Sequence, residues 1–159
     1  MTGPDMRQTW RAFLAALDSG DEDALMSAFD QQQRAFAAAV LALDVEMLGS
    51  NIDPAYELHN HSDFFGWRDV YRGIDGMVEW AGEINDTVGD FDFVIERIER
   101  FGDRLLTLGR MRASGRASQI QAEFPWAQVW TLRGDNILRI DVFTDHERAL
   151  AAAQPRNDP

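Results

Sequence analysis

The sequence predicts an α+β domain in which helices come first and an antiparallel meander follows. Two observations carry this. Apolar residues recur at helical spacing along the first half, and from Phe91 onward they alternate with polar ones between turn residues. A length of 159 residues suits one domain, expected over 1–153, with a disordered tail at 154–159.

Met6, Trp10, Phe13, Leu14 and Leu17 form one stripe of a first helix expected from Pro4 to Leu17. Asp18-Ser19-Gly20 ends it, and Asp21 caps a second helix carrying Leu25, Met26 and Phe29. The alanines of Gln31 to Ala42 either prolong that helix or form a short third. Leu43, Val45 and Met47 alternate in strand fashion, so a first strand is expected over Asp44–Leu48. Gly49 to Arg72 reads as a long irregular loop, broken by Asn51, Asp53, Pro54 and Gly66. Loops of that length are usually functional rims.

Asp75 opens a helix that buries Met77, Trp80, Ala81 and Ile84. Strands follow over Phe91–Arg100, Leu105–Ala113, Ile120–Leu132 and Ile137–Phe143. Phe101-Gly102-Asp103-Arg104 and Gly134-Asp135-Asn136 supply turns. Asp145 to Ala153 is expected as a C-terminal helix.

Fifteen basic against 27 acidic residues give a net charge of −12, which disfavours a nucleic-acid partner. The chain has no cysteine, so disulfides and thiolate metal sites are excluded. No apolar run approaches the roughly 20 residues of a membrane span. The opening MTGPDMRQTWRAF lacks a basic stretch followed by an apolar core. A cytoplasmic protein is expected, with no membrane partner and no cofactor.

Several local patterns resemble the SnoaL-like (polyketide-cyclase-like) family of the NTF2-like superfamily. Leu17 to Leu25 resembles its helix–turn–helix opening, and Asp44-Val45-Glu46-Met47 its first strand. Tyr71-Arg72-Gly73-Ile74-Asp75-Gly76 is similar to its YRGxxG entry to a helix. Val129 to Ile137 resembles its penultimate hairpin, and Asp145 to Leu150 its last helix. The resemblance implies a cone of N-terminal helices in a curved, mixed, mostly antiparallel sheet that encloses a pocket. It also implies a homodimer paired through the sheet. Such folds host cyclases, isomerases, hydrolases and proteins with no chemistry, so fold alone does not set function.

Ketosteroid isomerases of this fold place a base Asp on the first strand, with a Tyr and a protonated Asp for the oxyanion. Phe13, Met47 and Gln128 stand at those positions here, so that activity is not expected. Limonene-epoxide-hydrolase-like enzymes need an Arg and an Asp two apart on one strand, where this chain has Arg110-Met111-Arg112. Both these hydrolases and the polyketide cyclases place an acid on the last strand, which matches Asp141. The cyclases' helping His corresponds to Gln128. Asp141 is therefore the catalytic candidate; its alternative is an ion pair with Arg110 or Arg112.

Trp126, Gln128 and Trp130 share strand parity and are expected to wall a pocket for a small apolar ligand. One of Arg110 and Arg112 is placed to clamp an anionic group. His59-Asn60-His61-Ser62-Asp63 sets two imidazoles and a carboxylate two apart, a pattern for a pocket rim, a proton relay or a metal. No fourth ligand is evident, so no metal is assigned. Tyr56, Phe64, Phe65, Trp67 and Tyr71 are candidates to roof the pocket. Two readings follow: a small-molecule-binding domain with acid/base chemistry through Asp141, or a non-catalytic ligand-binding or dimeric scaffold protein.

Overall fold

The computed structural model describes residues 5–62, 67–115, 117, 118 and 120–154. Pro4, Asp63, Phe64, Phe65, Gly66, Arg116 and the tail beyond Gln154 lie outside the described residues. Helix α1 spans Met6–Ser19, α2 Glu22–Ala42, α3 Val45–Leu48, α4 Gly73–Thr87 and α5 His146–Ala153. Strands β1 (Ile52–Asn60), β2 (Val70–Arg72), β3 (Val88–Phe101), β4 (Arg104–Gly115), β5 (Gln121–Arg133) and β6 (Asn136–Phe143) form one open sheet in the order β2-β1-β6-β5-β4-β3. Only the β1–β6 pairing is parallel. This is the mixed, mostly antiparallel sheet of an α+β cone.

Local chemistry explains the helix ends. The Asp5 carboxylate accepts from Arg7 N at 2.8 Å, and Asp21 accepts from Ala24 N at 3.1 Å, each occupying a donor the helix leaves unpaired. Gly20 closes α1 at φ 71°, a left-handed position that glycine takes at low cost. The alanine-rich stretch prolongs α2 to Ala42, so there is no break at Gln31. In the YRGxxG segment the two glycines do different work. Gly73 takes φ 66°, while a Cβ on Gly76 would lie 2.8 Å from the Tyr71 carbonyl carbon, so only glycine lets α4 pack this closely on β2.

Two expectations are overturned. Asp44–Leu48 is not a strand: Asp44 accepts from Met47 N at 3.2 Å and caps the short helix α3. The alternation of Val45 and Met47 is the coincidence of a four-residue turn. The first strand lies instead inside the segment read as a loop, at Ile52–Asn60. Its register with β6 shifts between Ile52 and Glu57, and Pro54 sits in that irregularity, where a strand tolerates a missing N–H.

The sheet has two covered faces. Trp10 and Phe13 of α1, Phe29 of α2 and Trp80 of α4 pack with Trp126 and Trp130 on the inner face. On the outer face Ala149 and Ala153 of α5 cover Leu106, Leu108, Val129 and Phe143. His146 ties the start of α5 to the Gly109 carbonyl at 2.9 Å. The resemblance implied a homodimer paired through the outer face of the sheet. Phe91, Phe93 and Ile95 of β3 and Trp126 and Trp130 of β5 pack on the inner face, whereas Phe101 and the apolar centre of the outer face pack with α5 of the same chain. No helix among the described residues is long and apolar enough to cross a membrane.

Gly109 marks the tightest point of the β3–β4 pairing. A Cβ there would meet the Val94 carbonyl oxygen at 2.1 Å, beside the register shift between Ile95 and Arg97. Backbone cannot swing aside as a side chain can. Gly109→Ala is expected to lower stability by about 2 kcal/mol, as overpacking does, read as a reduced urea midpoint with an unchanged slope.

Candidate functional site

Strand parity divides the candidate residues between the two faces. In the β5–β6 register Gln128 lies opposite Val142 and Trp130 opposite Ile140, whereas Val129 lies opposite Asp141. Gln128, Trp126 and Trp130 therefore face inward with the core, and Asp141 faces outward on the side of α5.

On the inner face two small cavities adjoin, of about 40 and 30 Å³. Gln33, Phe36, Trp80 and Gln128 line both. The larger is an aromatic cage: Trp67 meets Trp80 edge-on with ring centroids 5.8 Å apart and Trp126 at 6.3 Å, and Phe36 lies 5.8 Å from Trp80. Phe91 and Ala113 also line a depression of about 330 Å³ at the end of β3 and β4, so the cage adjoins the surface there. No ionisable side chain among the described residues lines either inner cavity. Trp80 Nε1 and Asn51 Nδ2, both donors, and Gln128 Oε1, an acceptor, line these cavities with no hydrogen-bond partner among the described residues. By contrast Trp130 Nε1 donates to Thr107 Oγ1 at 3.0 Å.

Tyr56 turns into the core, and burial pushes its phenol far above the ordinary range. It lines neither cavity. The inner positions of β1 carry Tyr56, Leu58 and Asn60. Met47, matched above to the isomerase base, sits on α3 and not on a strand. The first strand thus supplies no inward carboxylate at these positions.

The outer face gathers the charged candidates. Arg139 holds Asp141 bidentately, Nε to Oδ2 at 2.9 Å and Nη2 to Oδ1 at 2.8 Å. His61 Nε2 lies 2.8 Å from Asp141 Oδ1, and its ring stacks on Phe143 with centroids 4.5 Å apart. An ionised carboxylate only accepts, so Nε2 carries the proton in this contact. Burial alone would raise the Asp141 pKa, but the Arg139 and His61 hydrogen bonds outweigh it and hold the carboxyl below its ordinary value. His59 pairs with Glu57 at 3.1 Å, and Arg72 holds the other Glu57 oxygen at 2.9 Å. Both imidazoles thus face away from the inner cavities, which corrects their placement at the pocket rim. Asn60 and Ser62 turn inward and bond each other at 2.7 Å.

The expected partners of Asp141 are corrected as well. Arg110 and Arg112 share the outer face but lie beside Glu123, at 2.5 and 3.4 Å, toward the far end of β4. They line neither inner cavity, so the anion clamp they were expected to form does not face the aromatic cage. The true partner, Arg139, stands two residues from Asp141 on the same strand. That i, i+2 pairing was visible in Arg139-Ile140-Asp141. Trp80 and Phe36, which complete the cage, come from α4 and α2, and their helical spacing marked them only as core.

The SnoaL-like domain family matches residues 33–140, more than half of the chain, and the chain belongs to that family. No curated protein matches its sequence significantly. A putative isomerase from Rhodopseudomonas palustris superposes with a TM-score of 0.62 at 16% identity, covering 76% of this chain and 91% of that one. TerC, co-crystallised with polyporic acid, gives 0.59 at 18%, covering 74% and 90%. An NTF2-like protein of Burkholderia thailandensis E264 gives 0.55 at 23%, covering 98% and 100%. These similarities establish the NTF2-like fold.

Asp141→Asn removes the charge that Arg139 and His61 both meet, in a nearly buried carboxylate whose partner Arg139 is 42% exposed. The expected loss is about 2 kcal/mol, less than for a fully buried pair because water screens the guanidinium. Since the folded carboxyl titrates below its ordinary value, this contribution is complete above the usual Asp range near pH 4 and fades as pH falls through the folded value. Urea unfolding of both proteins at neutral pH and near pH 2 checks it: the gap should close in acid.

Proposed function

We propose that this SnoaL-like domain is a non-catalytic receptor for a small, uncharged, mostly apolar molecule bearing one hydrogen-bonding group. The observation that carries this is that Trp80 Nε1 and Gln128 Oε1 are buried without a partner among the described residues, in an aromatic cage whose described lining holds no acid or base. An unmatched buried polar group costs about 1–3 kcal/mol. A ligand hydroxyl or amide that accepts from Trp80 and donates to Gln128 recovers that cost, and the tryptophan faces take its apolar body. The small cavities favour a compact ligand entering from the β3–β4 end. That TerC was co-crystallised with polyporic acid supports the use of this fold for small molecules.

Catalysis through Asp141 is the weaker reading. Both of its oxygens are already engaged, and the sheet separates it from the cage. Homodimerisation belongs to this proposal on a new footing: Leu41 of α2, Leu43 after it, Val45 of α3 and Ile74 of α4 are exposed apolar side chains, and Ile74 lies against Gly49 just after α3. Light scattering at micromolar concentration is expected to give twice the 18.0 kDa of one chain; a mass of one chain excludes the dimer.

Gln128→Leu separates binding from stability. It removes an unmatched acceptor, so the protein should become more stable by about 1 kcal/mol while losing ligand. Indole and 1-naphthol titrated against tryptophan fluorescence should bind the unaltered protein and not the variant. If Gln128→Leu destabilises the protein and neither probe binds the unaltered chain, Gln128 is a packing residue and the receptor reading fails.

A further inference from the structure

We infer that the outer face carries a second binding site, for a small organic anion: a carboxylate or phosphate ester on a short apolar tail. The cross-strand register sets Arg104, Thr131 and Arg139 side by side on β4, β5 and β6, all on the outer face. Adjacent strands lie about 4.8 Å apart, so the two arginine Cα atoms flank the threonine across about 10 Å. Arg148 approaches from α5, its guanidinium carbon 5.7 Å from the Phe143 ring centre. All three arginines line one groove of about 740 Å³ between the sheet and α5, within the range of small-molecule sites.

The charge balance of this groove sets it apart. Asp141 is its one carboxylate among the described lining residues, and Arg139 already holds it. Arg104 donates to the Ala152 carbonyl at 3.1 Å and Arg148 to the His61 carbonyl at 3.4 Å, so neither meets a carboxylate among the described residues. The nearest acids on neighbouring strands are engaged elsewhere: Glu57 with Arg72 and His59, Glu99 with Arg97. Among the described residues, a chain of net charge −12 thus leaves two guanidiniums of this groove without a carboxylate, in a lining that also holds a threonine hydroxyl. Two guanidiniums and a hydroxyl lining one groove suit a carboxylate or phosphate head. Val129 and Ala151 supply the apolar floor for a tail. The acidity of the rest of the molecule disfavours a large polyanion and favours a small ligand.

The site is independent of the inner cage, because the sheet lies between them. Its test is a ¹H–¹⁵N titration with phenyl phosphate and, separately, hexanoate, which distinguish the two head groups; inorganic phosphate and phenol serve as the tail-free and charge-free controls. At least one of the two tailed anions should shift the amides of Thr131, Arg139 and Ala152 and leave the Trp80 indole unmoved. Phenol should leave the groove unmoved, and inorganic phosphate should bind more weakly than phenyl phosphate. Arg148→Gln and Arg104→Gln should each weaken binding roughly tenfold, the loss of one charge-assisted hydrogen bond, and Arg104→Lys should keep most of it. Thermal melts confirm that each variant is folded. Binding unchanged in both glutamine variants overturns the site, as do equal shifts from phenol or shifts confined to the Trp80 indole. So does inorganic phosphate binding as tightly as phenyl phosphate, or the absence of binding by both tailed anions.

Discussion

The register between β5 and β6 is the constraint on which the remaining structure depends. With Gln128 opposite Val142 and Val129 opposite Asp141, every side chain of the two strands is assigned to the helix-packed face or to the face under α5. A slip of β6 by one residue would drive Asp141 and Arg139 into the tryptophan core and carry Ile140 and Val142 to the outer face. The two faces penalise that shift jointly. The inner one would bury an ion pair against apolar rings, and the outer one would receive Ile140 and Val142 where the Asp141–Arg139 pair now meets water.

This two-sided cover also explains the chemistry each face offers. Aromatic rings from α1, α2, α4 and β5 fill the interior so fully that its polar groups are few and mostly satisfied, as Trp130 is by Thr107. Trp80 and Gln128, two of the buried groups left without a partner among the described residues, stand inside the cage against an apolar background. Outside, α5 is short and covers only the centre of the sheet. The strands beyond it, β1 and the start of β6, present Glu57, His59, Arg139 and Asp141 in hydrogen-bonded rows. Charge is thus concentrated where half-exposed positions let water screen it.

Much of the architecture was legible in the residues, and the failures have physical causes. The stripe of Met6, Trp10 and Phe13 and the alternation through Phe91, Phe93 and Ile95 located α1 and β3, because one side of each element meets the core. Strand β1 was hidden because Pro54 sits in its irregular stretch and because Asn60, a buried position, is polar. For Asp141 the difficulty is different. Ile140 to Phe143 are buried on both faces of the sheet, so the run shows no alternation from which to read which side is which. A last-strand carboxylate looked like a pocket acid for that reason. The inward parity of Trp126, Gln128 and Trp130 was readable, since the aromatics mark it. Their partners Phe36 and Trp80 come from distant helices, and no single-strand pattern reveals such a meeting.

The parallel pairing of β1 with β6 also governs the order in which a growing chain can assemble. His59 finds Asp141 some eighty residues later, so β1 leaves the ribosome with no strand on that side to receive it. The helices and the β3–β4–β5 hairpins can form from near neighbours, whereas the β1–β2 edge waits until β6 has been made. During that interval the inward residues Tyr56 and Leu58 lack part of their final cover. The outer groove closes last, because α5 follows β6. A ribosome that pauses before residue 143 therefore holds a chain with most of its helices and an incomplete sheet, and the edge of β5 stands open to any strand that reaches it first.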